Sequence, residues 1–276
     1  MTIMMHKSSK SINRELLSTY IEPERTSTYT PIRHDEVINM TEDTLGLLNY
    51  KMSDTHCIVN NQGKTSKEGD RMITSFTVKS DRLPENDDYA FKMAVVNSYD
   101  KSYSLKYLMG LQVFVCTNGM WDATENINCK HTINIVDKAR TKLRDIVMDL
   151  QTIHKNTING YEDMKEMDFS CDKEVSDFVV RSCKKKIIGS QDILPILEHW
   201  ENPEHHEFKD RNGCSLFNAY TSHLRKNNPF TLSDKTKALR SYIDVYKKPD
   251  TNNGTTTDVR HNEFESTRRE VRTSIW

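Results

Sequence analysis

The stretch from Val95 to Trp121, VVNSYDKSYSLKYLMGLQVFVCTNGMW, carries the densest apolar signal in the chain, and the rest must fold around it. Asp100-Lys101 supplies a polar turn. Ser102–Leu108 and Leu111–Thr117 follow as strands, separated by Gly110, which reads as a bulge or bend, and Asn118-Gly119 closes the run. CTNGMW is then the exit toward a helix. Upstream the same β signal continues. Arg71–Lys79 (RMITSFTVK) is rich in β-branched residues, with Met72, Thr74, Phe76 and Val78 on one face at period two. Leu83–Asp88 is a strong breaker, after which Tyr89–Ser98 places Phe91, Met93 and Val95 on one side. His56–Asn60 is a shorter run ending in the turn Asn61–Lys64. The pieces assemble as an antiparallel meander of about four or five strands. A sheet of this kind must cover its apolar face.

The cover is supplied by helical periodicity. A single long helix is expected from Thr132 to about Met167. Val136, Ala139, Leu143, Ile146, Val147, Leu150 and Ile153 recur at three- and four-residue steps, and Lys138, Arg140, Lys142, Arg144 and Asp145 fill the other face. An earlier helix spans about residues 35–49, with Val37, Met40, Thr44, Leu47 and Leu48 inward. Later helices are expected over Asp172–Ile188 with Gly189 as C-terminal cap, over Ser190–Trp200, over Gly213–Lys226, and from Thr231 to about Tyr246 after a break at Asn227-Asn228-Pro229. The fold class is therefore α+β: an antiparallel β-meander covered by a long helix, with a helical C-terminal region. The chain divides into a flexible N-terminal arm (1–30), an α+β core (31–168), a helical C-terminal region (169–248) and a polar tail (249–276). The tail ends in Ile275-Trp276, and Trp276 is a candidate anchor on a neighbour.

Composition narrows the function classes. The net charge of −1 argues against a domain that coats phosphate backbones. No run approaches the ~18 apolar residues of a membrane span, and the first residues lack the apolar core of a secretory signal. The six cysteines are scattered, as expected of reduced thiols rather than a disulfide framework. His199, His205, His206, Cys214 and His223 match no zinc spacing. His131 is expected to hydrogen-bond at the start of the long helix, and Cys116 to fill core space. G-x-S-x-G, the P-loop and G-x-G-x-x-G are all lacking. No catalytic residue, metal ligand or cofactor is assigned, and the chain reads as non-enzymatic. Tyr99, Tyr103 and Tyr107 interleave with Lys101 and Lys106, a pattern that suits base stacking with flanking cations. The same spacing also suits cross-strand tyrosine packing with ordinary surface lysines.

Three segments carry a family resemblance. Asn97-Ser98-Tyr99-Asp100-Lys101-Ser102, followed by Gly110–Gly119 with its Val115-Cys116-Thr117-Asn118, resembles the N-S-H-D-G-S … V-C-x-N core of a phage/plasmid-like protein family of unknown function. Lys130-His131-Thr132-x-Asn134 resembles its R-H-T-x-N segment, and Ser215–Thr221 (SLFNAYT) resembles its late G-L-Y-N-A-V-T helix. Tyr99 and Lys101 stand where His and Gly are usual, and Trp121 replaces a smaller residue. The resemblance covers roughly residues 30–246 and brings no catalytic residues with it. It implies a mobile-element setting and work in the cytoplasm of an infected bacterial host. The expectation is a phage-encoded, self-associating interaction protein that binds and inhibits a bacterial defence complex, such as a nuclease–helicase system, with no membrane role. The alternative is a single-stranded DNA binding or annealing factor. The candidate interaction surface is Tyr99, Asp100, Lys101, Tyr103, Lys106 and Trp276.

Overall fold

The sheet is six-stranded, ordered β1-β2-β3-β4-β5-β6 and antiparallel throughout. The structure is a computed structural model and describes residues 9–84, 89–113, 122–224 and 229–246. The strands are β1 (Ser9–Ile12), β2 (Lys51–Asn60), β3 (Arg71–Lys79), β4 (Tyr89–Ser98), β5 (Leu105–Val113) and β6 (Asp122–Cys129). Register places Phe76 opposite Met93, and Met93 opposite Met109. These three residues are fully buried and lie on the core face with Val59, Met72, Val78, Phe91, Val95, Tyr107 and Leu111. Each large apolar side chain buried this way contributes about 1.5–3 kcal/mol.

Three helices lie over that face: α1 (His34–Leu47), α2 (Ile135–Met148) and α3 (Leu150–Lys165). They insert Val37, Ile38 and Leu45, then Ile135, Ala139, Leu143, Ile146 and Val147, then Leu150, into the same core. A smaller strip on the opposite face joins Ile73, Ala94, Val96 and Leu108, with Tyr103 packed against it. The C-terminal helices are α4 (Asp172–Lys184), α5 (Ile193–Glu201), α6 (Gly213–Leu224) and α7 (Pro229–Val245). Phe178 anchors them, with ring contacts to Phe169, Tyr220 and Tyr242 at 5.8, 6.1 and 4.6 Å. Residues up to Val245 form one contact unit, and Tyr246–Trp276 is a separate one of which only Tyr246 is described. Among the described residues no helix is long and apolar enough to cross a membrane.

The α+β class and the exact span of β3 agree with the periodicity; several other expectations are corrected. The helix after the sheet is not continuous. The Asp149 N–H reaches both Asp145 O and Ile146 O (3.2 and 3.1 Å), so the last turn of α2 tightens before α3 begins. Beyond the break, the buried His154 ring meets Phe91 edge-on at 5.2 Å. In α1 the inward stripe includes Leu45 rather than Leu47, which is 82% exposed. The helix ends with Asn49 in the left-handed region (φ 62), its N–H on Gly46 O.

The expected arm packs on the core through its described residues, from Ser9 onward. Ser9–Ile12 pairs with Cys57–Asn60 as an edge strand, Leu17 is fully buried, and Arg14 binds Asn39 and Glu42 of α1. An edge strand needs few apolar residues, so its polar composition hid it. The same reason applies to β6 (DATENINC), which takes the place of a direct exit to a helix. Gly110 lies inside one continuous β5 instead of dividing two strands, and the register shift between Met109 and Gly110 supplies the expected bulge. Gly189 is extended (φ −86, ψ 164) and opens the next turn. Lys186 instead takes the left-handed position after α4 (φ 62), with Ile187 N–H reaching back to Ser182 O. The last helix begins at Pro229, two residues before the expected Thr231, since a first-turn proline loses no helical bond.

Candidate functional site

The turn proposed from the sequence as an exposed surface is an internal latch. At the end of β4 the Asn97 amide donates to Ile32 O (2.9 Å) and to His34 Nδ1 (3.0 Å). His34 Nδ1 must then be the acceptor, so its Nε2–H donates to Gly69 O (2.9 Å). The neutral imidazole stacks on Tyr99 with centroids 3.9 Å apart and planes at 10°. Tyr99 Oη in turn accepts the His34 backbone N–H at 2.9 Å. Burial pushes His34 down to about 4 and Tyr99 up to about 12. Tyr29 closes the cluster, its hydroxyl donating to Ser98 O at 3.0 Å. Tyr99, expected to be exposed, is therefore buried.

The neighbours are similarly engaged. Asp100 accepts from Arg71 Nε at 2.6 Å and from Ser102 N–H at 3.0 Å, which fixes the turn. Lys101 takes φ 63 and is exposed, with Nζ 4.9 Å from the Tyr29 ring centre. Tyr103 packs on the smaller strip under the Arg71 guanidinium (5.7 Å). Lys106 binds Asp234 of α7 at 3.0 Å, and Tyr107 is fully buried. The interleaved tyrosines and lysines thus act as packing and ties between elements rather than as an open stacking platform. Trp276 and Cys116 lie outside the described residues.

The Arg71–Asp100 pair is mostly shielded, with side chains 22% and 10% exposed. A double-mutant cycle with Arg71→Ala and Asp100→Ala, read by chemical denaturation, is expected to give a coupling energy of about 1–2 kcal/mol. A coupling near zero would show that solvent screens this pair like an ordinary surface bridge.

His131 is held differently from expectation. Its carbonyl accepts Thr30 N–H (3.1 Å), its ring lies 5.3 Å from Tyr29, and neither buried ring nitrogen lies within good hydrogen-bonding geometry of a partner among the described residues. Burial pushes this imidazole down as well. Of the sequence's histidine–cysteine group, His223 Nε2 binds Asp192 Oδ1 at 2.8 Å, and Cys214 Sγ points to Tyr161 O at 3.4 Å. Burial pushes the Cys214 thiol up to about 12. Among the described residues no three His, Cys, Asp or Glu side chains form a group able to hold a metal ion.

A groove lies elsewhere on the surface, between α1 and α2. It measures about 410 Å³ and is bounded by Met40, Asp43, Thr44, Leu47, Leu48, Arg140, Arg144 and Met148. The buried Met40 and Thr44, with half-buried Leu48, form the α1 side. Arg140, Arg144 and Met148 stand four residues apart along the exposed side of α2. Leu47 and Met148 are 82% and 59% exposed, although both are large and apolar. Neither arginine has an ion-pair partner among the described residues, and Asp43 is the acidic group in the lining. Sequence reasoning put Arg140 and Arg144 on the solvent face but missed the groove. The readable signal was Met148, which falls out of phase with the buried stripe and in line with the two arginines.

No curated protein and no solved structure matches this chain significantly. A family model described as a domain of unknown function, DUF932, matches residues 24–186. The matched range holds α1, the sheet from β2 to β6, and α2 to α4, and therefore both the latch and the groove. Ser215–Thr221 lies beyond it. The chain belongs to the DUF932 family.

Proposed function

We propose that this chain is a binding protein, encoded by a phage or related mobile element, that engages and inhibits a bacterial defence complex such as a nuclease–helicase system. The observation that supports this reading is the α1–α2 groove, lined by exposed Leu47 and Met148 and by two arginines with no ion-pair partner among the described residues. Arginine and methionine are enriched at protein interfaces, and an anchor pocket beside a charged rim is the usual arrangement of an energetic centre there. Inhibition would then be a matter of occupancy: the chain covers a surface the defence complex needs.

The experiment is affinity capture of the tagged full chain from bacteria carrying a nuclease–helicase defence system, with native mass measurement and phage plating in the same strain. Retention of a defence component with restored plaque formation is expected, and the native mass would also report self-association. Absence of both, or salt-sensitive capture of oligonucleotides instead, would sink the proposal.

A further inference from the structure

We infer that the groove between α1 and α2 receives an acidic amphipathic helix of the partner protein. The inference rests on the binding role proposed above and specifies the chemistry of its site.

Both walls of the groove are helices, and Arg140, Arg144 and Met148 form one i, i+4 ridge along α2. The space beside such a ridge is filled best by the side-chain ridge of another helix. Arg140 and Arg144 are separated by about 6 Å along the helix axis, at ~1.5 Å per residue. Carboxylates one turn apart on a partner helix have the same separation, so two charge-assisted bonds can form in register. The partner's aliphatic side chains on the adjoining stripe reach Met40, Leu47 and Leu48. Two cations against Asp43 leave the lining with a positive excess, which favours an acidic occupant over a basic one. Asp43 on the α1 side disfavours a third carboxylate there and so selects one direction for the bound helix.

The test pans a displayed library of helical peptides against the full chain. Enriched peptides are expected to carry Asp or Glu at i, i+4 beside an aliphatic stripe. The Arg140→Glu, Arg144→Glu double variant should weaken their binding about tenfold or more. Peptides with both acids changed to lysine should regain binding to that variant. Leu47→Asp should also abolish binding. All three residues are exposed, so unchanged thermal midpoints are expected and would certify the folds. Enrichment of basic or uncharged peptides, no enrichment, or indifference to these substitutions would overturn the inference. It would also fall if wild type forms a dimer that Leu47→Asp dissolves and no peptide binds, because a second copy would then fill the groove. Capture of the same defence component by wild type and the double-arginine variant would remove the helix site while leaving the binding role standing.

Discussion

Gly69→Ala is expected to lower the free energy of unfolding by about 3 kcal/mol, roughly the sum of strain and lost packing. Gly69 holds φ +79, where a side chain costs about 1–2 kcal/mol. An added Cβ would also overlap the ring of Tyr20, a residue packed against the main core. Tyr20 can swing outward, but only by giving up that packing. The same glycine is a junction of the latch: its N–H donates to Asn60 O (3.1 Å) and its carbonyl receives His34. Urea denaturation against Gly46→Ala makes the comparison sharp. Gly46 lies in α1 with φ outside the left-handed region and nothing within 4 Å of an added Cβ, so alanine there should stabilise by about 0.5–1 kcal/mol. A Gly69→Ala loss below about 1 kcal/mol would contradict a left-handed turn closed against Tyr20.

The second large effect is acid sensitivity above the carboxylate range. His34 is fully buried and neutral, pushed down to about 4 from an ordinary value of 6.5. Between those two values the unfolded chain binds the proton and the folded chain resists it. Stability from the neutral imidazole is therefore complete above about pH 6.5 and is lost as pH falls toward 4, to a total of about 3 kcal/mol. Burial lowers His131 and His154 in the same direction and adds to the slope. The carboxylates act lower. Asp35 is held down by its bond from Arg33. Burial pushes Asp192 up, but hydrogen bonds from His223 and the Gly189 N–H bring it below its ordinary value. Their contributions are present above the ordinary carboxylate value and disappear only as pH falls through lower folded values. Denaturation midpoints at pH 7.5, 6, 5 and 4.5 separate the two windows. His34→Gln, which keeps a donor and an acceptor, should flatten the slope between pH 6.5 and 4. A flat wild-type profile there would mean that water reaches His34 in the folded protein.

The latch shows how partial the sequence signal was. Asp100 and Lys101 were legible as a turn because an Asp carboxylate caps its own turn N–H groups. That Tyr99 is buried was not legible. Its partner His34 lies 65 residues earlier and Gly69 stands between them, 35 residues after His34, and no periodicity links such positions. The groove is a similar case. Arg140 and Arg144 were visible as the outer face of a helix, whereas the placement of Leu47 depended on the rotation of α1. One misassigned phase turned an exposed anchor into a presumed core residue. Residues 9–12 and 122–129 escaped because both edge strands are polar in sequence.

By itself the sequence determined the antiparallel meander, the helical layer over one face and the helical C-terminal region. Alternation at two residues and recurrence at three and four are local, and each commits a segment to one buried face. The tertiary structure alone decided that the Tyr99 turn closes inward on His34, and that a groove opens where α1 and α2 end side by side. Those outcomes depend on which distant groups meet, because a buried polar group must find its partner wherever the fold brings one.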